Sequence, residues 1–222
     1  MTAEQMKAVA DAVKALAAPA TVDFSEVVYE SETFPNSFKS NANLAGIVFP
    51  QNVTKTASAA FQKTGMTSVT LLKGISYGSN AFDSCASLVS VTVEEGVTEI
   101  GNYMFQNTKL TDVTLPNSVT KIGASAFNGC SLTTINFGQG VKTIENSAFQ
   151  NCGELTEIIL PDATETLGQN AFGDCPKLAK ISLGKNMKTL EAYCFVGYSK
   201  GCPLLGDIIC RATTPPTLKG DY

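Results

Sequence analysis

Seven cysteines and several paired carboxylates are the residues of this 222-residue chain that could do chemistry. Cysteines can cross-link, bind metal or attack an electrophile, and two carboxylates can share acid and base roles in hydrolysis. The sequence narrows both. It contains no histidine, which removes Ser-His and Cys-His nucleophile pairs and imidazole metal ligands. No Cys-x-x-Cys pair occurs, so a metal cluster is not expected. The carboxylates Glu94/Glu95, Glu154/Glu157 and Asp162/Glu165 recur at no fixed spacing and read as solvated surface. Glycines such as Gly123 and Gly168 follow turns and build no phosphate loop. No catalytic residue, cofactor or metal is therefore expected.

Composition bounds the rest. Hydrophobic residues are 44% and charged residues 16%, too apolar for disorder. No apolar run is long enough to span a membrane. The net charge of −4 argues against nucleic acid. Tryptophan is absent and six tyrosines remain, which weakens the case for a sugar-stacking platform. Glu4, Asp11 and Lys14 interrupt what would be the apolar core of a signal peptide. Either the chain is not exported or its leader has been removed.

The elements that position these residues recur with a period. Phe38, Phe61, Phe82, Phe105, Phe127, Phe149, Phe172 and Phe195 follow one another at steps of 23, 21, 23, 22, 22, 23 and 23. Each is followed by an apolar strand pattern, such as Leu110-Val113-Leu115 or Leu155-Ile158-Leu160, and then by a second pair such as Val119/Ile122. A unit this short cannot bury its own apolar set, so neighbours must stack. The pattern predicts a parallel sheet backed by a continuous stack of eight phenylalanines. Residues 38–211 form the array, with a four-residue insertion after Phe195. Residues 1–37 form an N-terminal cap, a helix at about residues 3–17 followed by a strand-like segment. Thr2 and Gln5 make a capping box, and Met6, Val9, Val13 and Leu16 form the helix's apolar stripe. Residues 212–222 are a C-terminal tail, a truncated exit from the array.

The register explains the cysteines. Cys85, Cys130, Cys152, Cys175 and Cys202 share one repeat position, Cys194 replaces the small residue before Phe195, and Cys210 replaces a strand leucine. All seven are predicted core positions holding reduced thiols. A disulfide between stacked neighbours such as Cys130 and Cys152 is the alternative.

Alternation turns the other strand residues outward. The candidate ligand face comprises Asp112, Thr114, Thr134, Asn136, Glu157, Ile159, Lys180, Ser182, Asp207 and Ile209, preceded by Ser68/Thr70 and Ser90/Thr92. The stretch from Glu157 to Ile209 is favoured because it adds charges and exposed isoleucines. Tyr198 and Lys200, in the insertion, are candidate loop contacts.

The pattern L-x-x-I-x-L-P-x-x-V-x-x-I-G-x-x-A-F-x-x-C, broadly followed by residues 110–130 and 155–175, resembles the BspA-like, Treponema pallidum-type leucine-rich repeat. The resemblance covers about residues 38–211; the short repeat ending at Phe82 and the insertion depart from it. The closing stretch Ile208 to Pro216 is similar to array ends of gut Bacteroides-type surface proteins, which implies more chain beyond Tyr222. The resemblance implies an α/β repeat fold. This is a right-handed leucine-rich-repeat solenoid of about eight coils, with its parallel β-sheet on the concave face and an N-terminal capping helix. It also implies a non-catalytic protein-binding or cell-adhesion module, extracellular or at the cell surface. The expected partner is a host or neighbouring-cell surface or extracellular-matrix protein, or a glycan, bound on the concave face by a monomer. Two rivals are a structural spacer and a carboxylate-dependent polysaccharide enzyme on a parallel β-helix.

Overall fold

The computed structural model describes residues 1–197 and 199–220. It is a solenoid of parallel strands, about eight turns long, with one helix at its N-terminal end. The helix α1 spans Ala3–Lys14. The first strands are β1 (Ala20–Asp23), β2 (Thr33–Phe34), β3 (Leu44–Val48), β4 (Lys55–Thr56), β5 (Ser68–Leu71) and β6 (Ser90–Val93). Next come β7 (Glu99–Ile100), β8 (Asp112–Thr114), β9 (Lys121–Ile122), β10 (Thr134–Asn136) and β11 (Thr143–Ile144). The last are β12 (Glu157–Ile159), β13 (Thr166–Leu167), β14 (Lys180–Leu183), β15 (Thr189–Glu191), β16 (Asp207–Cys210) and β17 (Thr217–Lys219).

Each coil contributes twice. The longer strands form a first ladder that breaks into the blocks β1-β3, β5-β6, β8-β10 and β12-β14-β16. The second apolar pair of each repeat forms its own short strand. From β7 to β17 these short strands make one continuous six-stranded ladder. The sequence predicts a single sheet; the described strands lie in two rows, hydrogen-bonded as six separate sheets, and the shorter strands are the more regularly paired. Strands outside residues 38–211 join both ladders, since β1 pairs with β3, β2 with β4 and β17 with β15.

The core is the phenylalanine column. Rings of Phe61, Phe82, Phe105, Phe127, Phe149 and Phe172 stack in series at 5.2–5.6 Å, tilted by at most 19°. At the N-terminal end Phe34 continues the stack, 5.6 Å from Phe61 and 6.0 Å from Phe38. Phe195 is half-buried and meets no described ring, so the eighth member is Phe34. The reason is positional: among the described residues no phenylalanine follows Phe195 to stack on its outer side. Truncating an interior ring should cost about 3–5 kcal/mol.

The turn carrying each ring is held in an unusual backbone shape. From Phe61 on, residues two before and two after the phenylalanine adopt left-handed φ, as at Tyr103 (φ 56) and Asn107 (φ 55), or Ala59 (φ 58) and Lys63 (φ 59). This conformation costs about 1–2 kcal/mol for a non-glycine residue. It persists because these turns hydrogen-bond coil to coil, for example Phe105 N–H to Ala126 O and Phe127 N–H to Ala148 O, both 2.8 Å.

The cysteine position has a specific role. The thiols of Cys85, Cys130, Cys152, Cys175 and Cys202 each donate to the carbonyl of the preceding coil's phenylalanine, at 3.0–3.3 Å. Thr64 and Thr108 take the same position and donate to their own coil's phenylalanine carbonyl at 2.9 Å. Asn41, first in the column, instead donates to Ala10 O at 2.9 Å and ties the array to α1. All seven cysteines are free thiols. Five are buried, but Cys202 is half-buried and Cys210 is exposed, which corrects the expectation that all seven lie in the core. Register places an inward side chain correctly but buries it only if a further coil covers it. Ile208, also inward by register, is exposed for the same reason.

The helix starts as predicted, with both capping-box bonds between Thr2 and Gln5 in place. It buries Met6, Ala10 and Val13. It stops at Lys14, short of the expected residue 17, and Leu16 is 46% exposed. The Asn43 amide takes the carbonyls of Lys14 and Leu16 at 3.0 and 2.9 Å, which turns the chain away.

Candidate functional site

The expected face divides into two blocks. Asp112 and Thr114 on β8 pair with Thr134 and Asn136 on β10, and all four side chains are exposed. In the other block β12, β14 and β16 align Glu157 with Lys180 and Asp207, and Ile159 with Ser182 and Ile209. Ile159 is 59% and Ile209 45% exposed, whereas Ser182 between them is only 9% exposed. Ser182 is therefore less open than the alternation implies: it sits on the face, flanked in register by two isoleucines, but is nearly buried. Between the blocks lies a cleft of about 520 Å³, lined by Thr134, Asn136, Glu157 and Ile159 among others.

The charges on this face are paired. Lys180 Nζ lies 2.7 Å from Glu157 Oε1, and that hydrogen bond, then the attraction of Glu157 and Asp207, raises the lysine's pKa. Three more pairs join the same two coils: Glu154–Lys177 at 2.5 Å, Asp162–Lys185 at 3.0 Å and Glu165–Lys188 at 2.6 Å. In every pair the lysine follows its acid by 23 residues, one coil length. Four of the six carboxylates expected at no fixed position, Glu154, Glu157, Asp162 and Glu165, thus form an acidic coil clasped to a basic one. The hydrogen bond from Lys185 lowers the pKa of Asp162, and that from Lys188 lowers the pKa of Glu165. A glycosidase's general acid needs the opposite shift, so these residues are poorly suited to that chemistry.

The insertion is held from below. Asp174 is buried, and its Oδ1 accepts the backbone N–H groups of Ser199, Lys200 and Gly201 at 2.9, 2.6 and 2.9 Å. Lys200 is exposed at the loop surface. Tyr198 lies outside the described residues.

Sequence reasoning missed Arg211, the chain's only arginine. It lines the 520 Å³ cleft, donates to Leu183 O at 3.1 Å and Leu160 O at 2.9 Å, and lies 3.3 Å from Asp162 Oδ1. Its uniqueness was the signal that could have marked it. A second, larger cleft lies between β3 and β5, in the half the sequence did not favour.

Among the described residues no group of three or more Cys, Asp or Glu side chains is placed to hold a metal ion. No described helix is long and apolar enough to cross a membrane.

Comparison with known proteins places this architecture. No curated protein matches the chain. Among solved structures it is similar to a leucine-rich cell surface protein from Faecalibacterium prausnitzii, with 22% identity and a TM-score of 0.58 over 87% of this chain. It spans 60% of that relative's length. A leucine-rich repeat protein of T. pallidum is 22% identical over 86% of this chain and 75% of its own, with a TM-score of 0.49. One from Bacteroides ovatus is 20% identical over 88% and 69%, with a TM-score of 0.37. At such identities the likeness concerns the fold. The model of the BspA type leucine-rich repeat region, in six copies, matches residues 22–77 and 75–201. That family consists of repeat proteins rather than enzymes and implies an interaction or surface module. The chain belongs to the BspA-type leucine-rich repeat family.

Proposed function

We propose that this chain is a non-catalytic protein-binding module of a surface or secreted protein, active in adhesion, with its partner docked on the first ladder. The observation that carries this reading is exposed Ile159, in a cleft edged by Thr134, Asn136 and Glu157, with exposed Ile209 two strands away on the same face. Apolar side chains rimmed by polar groups are the common make-up of a protein contact. Asp112, Thr114, Lys180 and Asp207 form the rim, where charges set orientation and on-rate more than affinity. Lys200, presented on the loop that Asp174 braces, is a separate candidate contact. The partner is a host or neighbouring-cell surface or matrix protein.

The test is binding of the purified chain to a panel of extracellular-matrix glycoproteins. Replacing Ile159 and Ile209 together by Asp should weaken binding about tenfold or more. Both side chains are exposed, so folding should persist. Equal binding by the variant and the parent chain rejects this face and favours a spacer.

A further inference from the structure

A cleft of about 810 Å³ lies between β3 and β5, where the first ladder is interrupted. Its floor includes the half-exposed side chains Ile47, Phe49 and Val69. Gly46 leaves the β3 wall bare; a Cβ there would lie 3.0 Å from Thr21 Oγ1. The rim carries the hydroxyls of Thr21, Ser68, Thr70, Ser90 and Thr92. None of these hydroxyls has a hydrogen-bond partner among the described residues. Lys73 is the one charged residue in the lining and Gln51 the one planar polar side chain.

We propose that this cleft seats an uncharged, extended segment of a partner protein, one apolar side chain in the cleft and its backbone on the hydroxyl rows. The proposal rests on the protein-binding reading above and adds a second subsite to it. Same-facing residues of a strand recur at about 6.6 Å, so Ser68/Thr70 and Ser90/Thr92 present hydroxyls at the repeat of an extended peptide's amides. A hydroxyl donates and accepts, so it can meet either an N–H or a C=O. A charged ligand would give up water here with only Lys73 to compensate. A sugar, whose neighbouring hydroxyls are best gripped by planar carboxylates or amides, would find only Gln51.

The experiment is an amide chemical-shift titration of the whole chain. The probes are a capped pentapeptide with leucine between serines and threonines, the same peptide with central glutamate, and chitobiose. The leucine peptide should move the resonances of Gly46 to Val48 and Ser68 to Thr70. Thr70→Trp, which fills the cleft from an exposed position, should raise its Kd about tenfold. A response to chitobiose or the glutamate peptide as strong as that to the leucine peptide overturns the proposal. So does the absence of any response. If the parent chain and Thr70→Trp still bind matrix proteins alike while the peptide gives no response, the cleft alone is wrong. If the parent chain binds no matrix protein, the reading beneath it is wrong.

Discussion

The coils before Leu115 and those after Glu154 share one core and carry opposite surfaces. In the first region the outward residues of β5 and β6 are Ser and Thr, unpaired and almost uncharged, around an open cleft. In the second, four lysines of one coil meet four carboxylates of the coil before it. The same phenylalanine stack runs beneath both. A solenoid can vary its face coil by coil because its stability comes from neighbour contacts in the interior. The comparison separates what holds the chain up from what it offers a partner.

The largest effect should come from the shared core. Phe127→Ala removes a ring stacked 5.5 Å from Phe105 and 5.2 Å from Phe149. It should cost about 3–5 kcal/mol in denaturant unfolding and destabilise both regions together. If only one region loosened, the single-core account would be wrong.

Changing Lys177, Lys180, Lys185 and Lys188 together to Glu should lower the denaturant midpoint measurably but less than Phe127→Ala does, since exposed pairs contribute little each and like charges then face each other. The loss should be confined to the second region, with the first unfolding as before. The same clasp predicts a pH window. Asp162 and Glu165 have lowered pKa values, so their contribution is present above the ordinary carboxylate values of 3.8 and 4.5 and is lost as pH falls through the lowered ones. Lys180 has a raised pKa, so its contribution is present below the ordinary 10.5 and is lost as pH rises through the raised value. Thermal unfolding followed from pH 7 downward should therefore weaken the second region first.

Cysteine reactivity gives a finer contrast. Burial pushes the Cys130 thiol up to about 11 and those of Cys175 and Cys194 to about 12. Alkylation of the native chain near pH 8, read by mass spectrometry, should label exposed Cys210 first and leave Cys85, Cys130, Cys152 and Cys175 unmodified. Rapid labelling of Cys130 would contradict the burial of that column. The smallest effect is expected at Lys63. Glycine suits its φ of 59, and relief of that strain should outweigh the lost chain entropy by less than about 1 kcal/mol.

Much of the fold was legible in the sequence because it repeats. The phenylalanine period, the strand patterns and the capping box each depend on local spacing, and the structure keeps them. Reasoning by register failed at the ends, where it assumes a neighbour on both sides: Phe195, Cys210 and Ile208 are less buried than their position implies. The charge clasp was present in the text as a 23-residue offset from Glu154 to Lys177 and from Glu165 to Lys188. It becomes visible only when charged positions are aligned as carefully as apolar ones. The cleft near Gly46 was not legible, because it depends on where the first ladder breaks.

Hydrogen exchange of the intact chain at low salt and at about 1 M salt tests the division of labour most directly, since salt at that strength screens exposed ion pairs. The coils from Glu154 to Glu191, joined by the four lysine–carboxylate pairs, should exchange faster at high salt, while Leu44 to Val93 keep their protection. Equal acceleration in both regions, or acceleration in the first alone, would contradict the account.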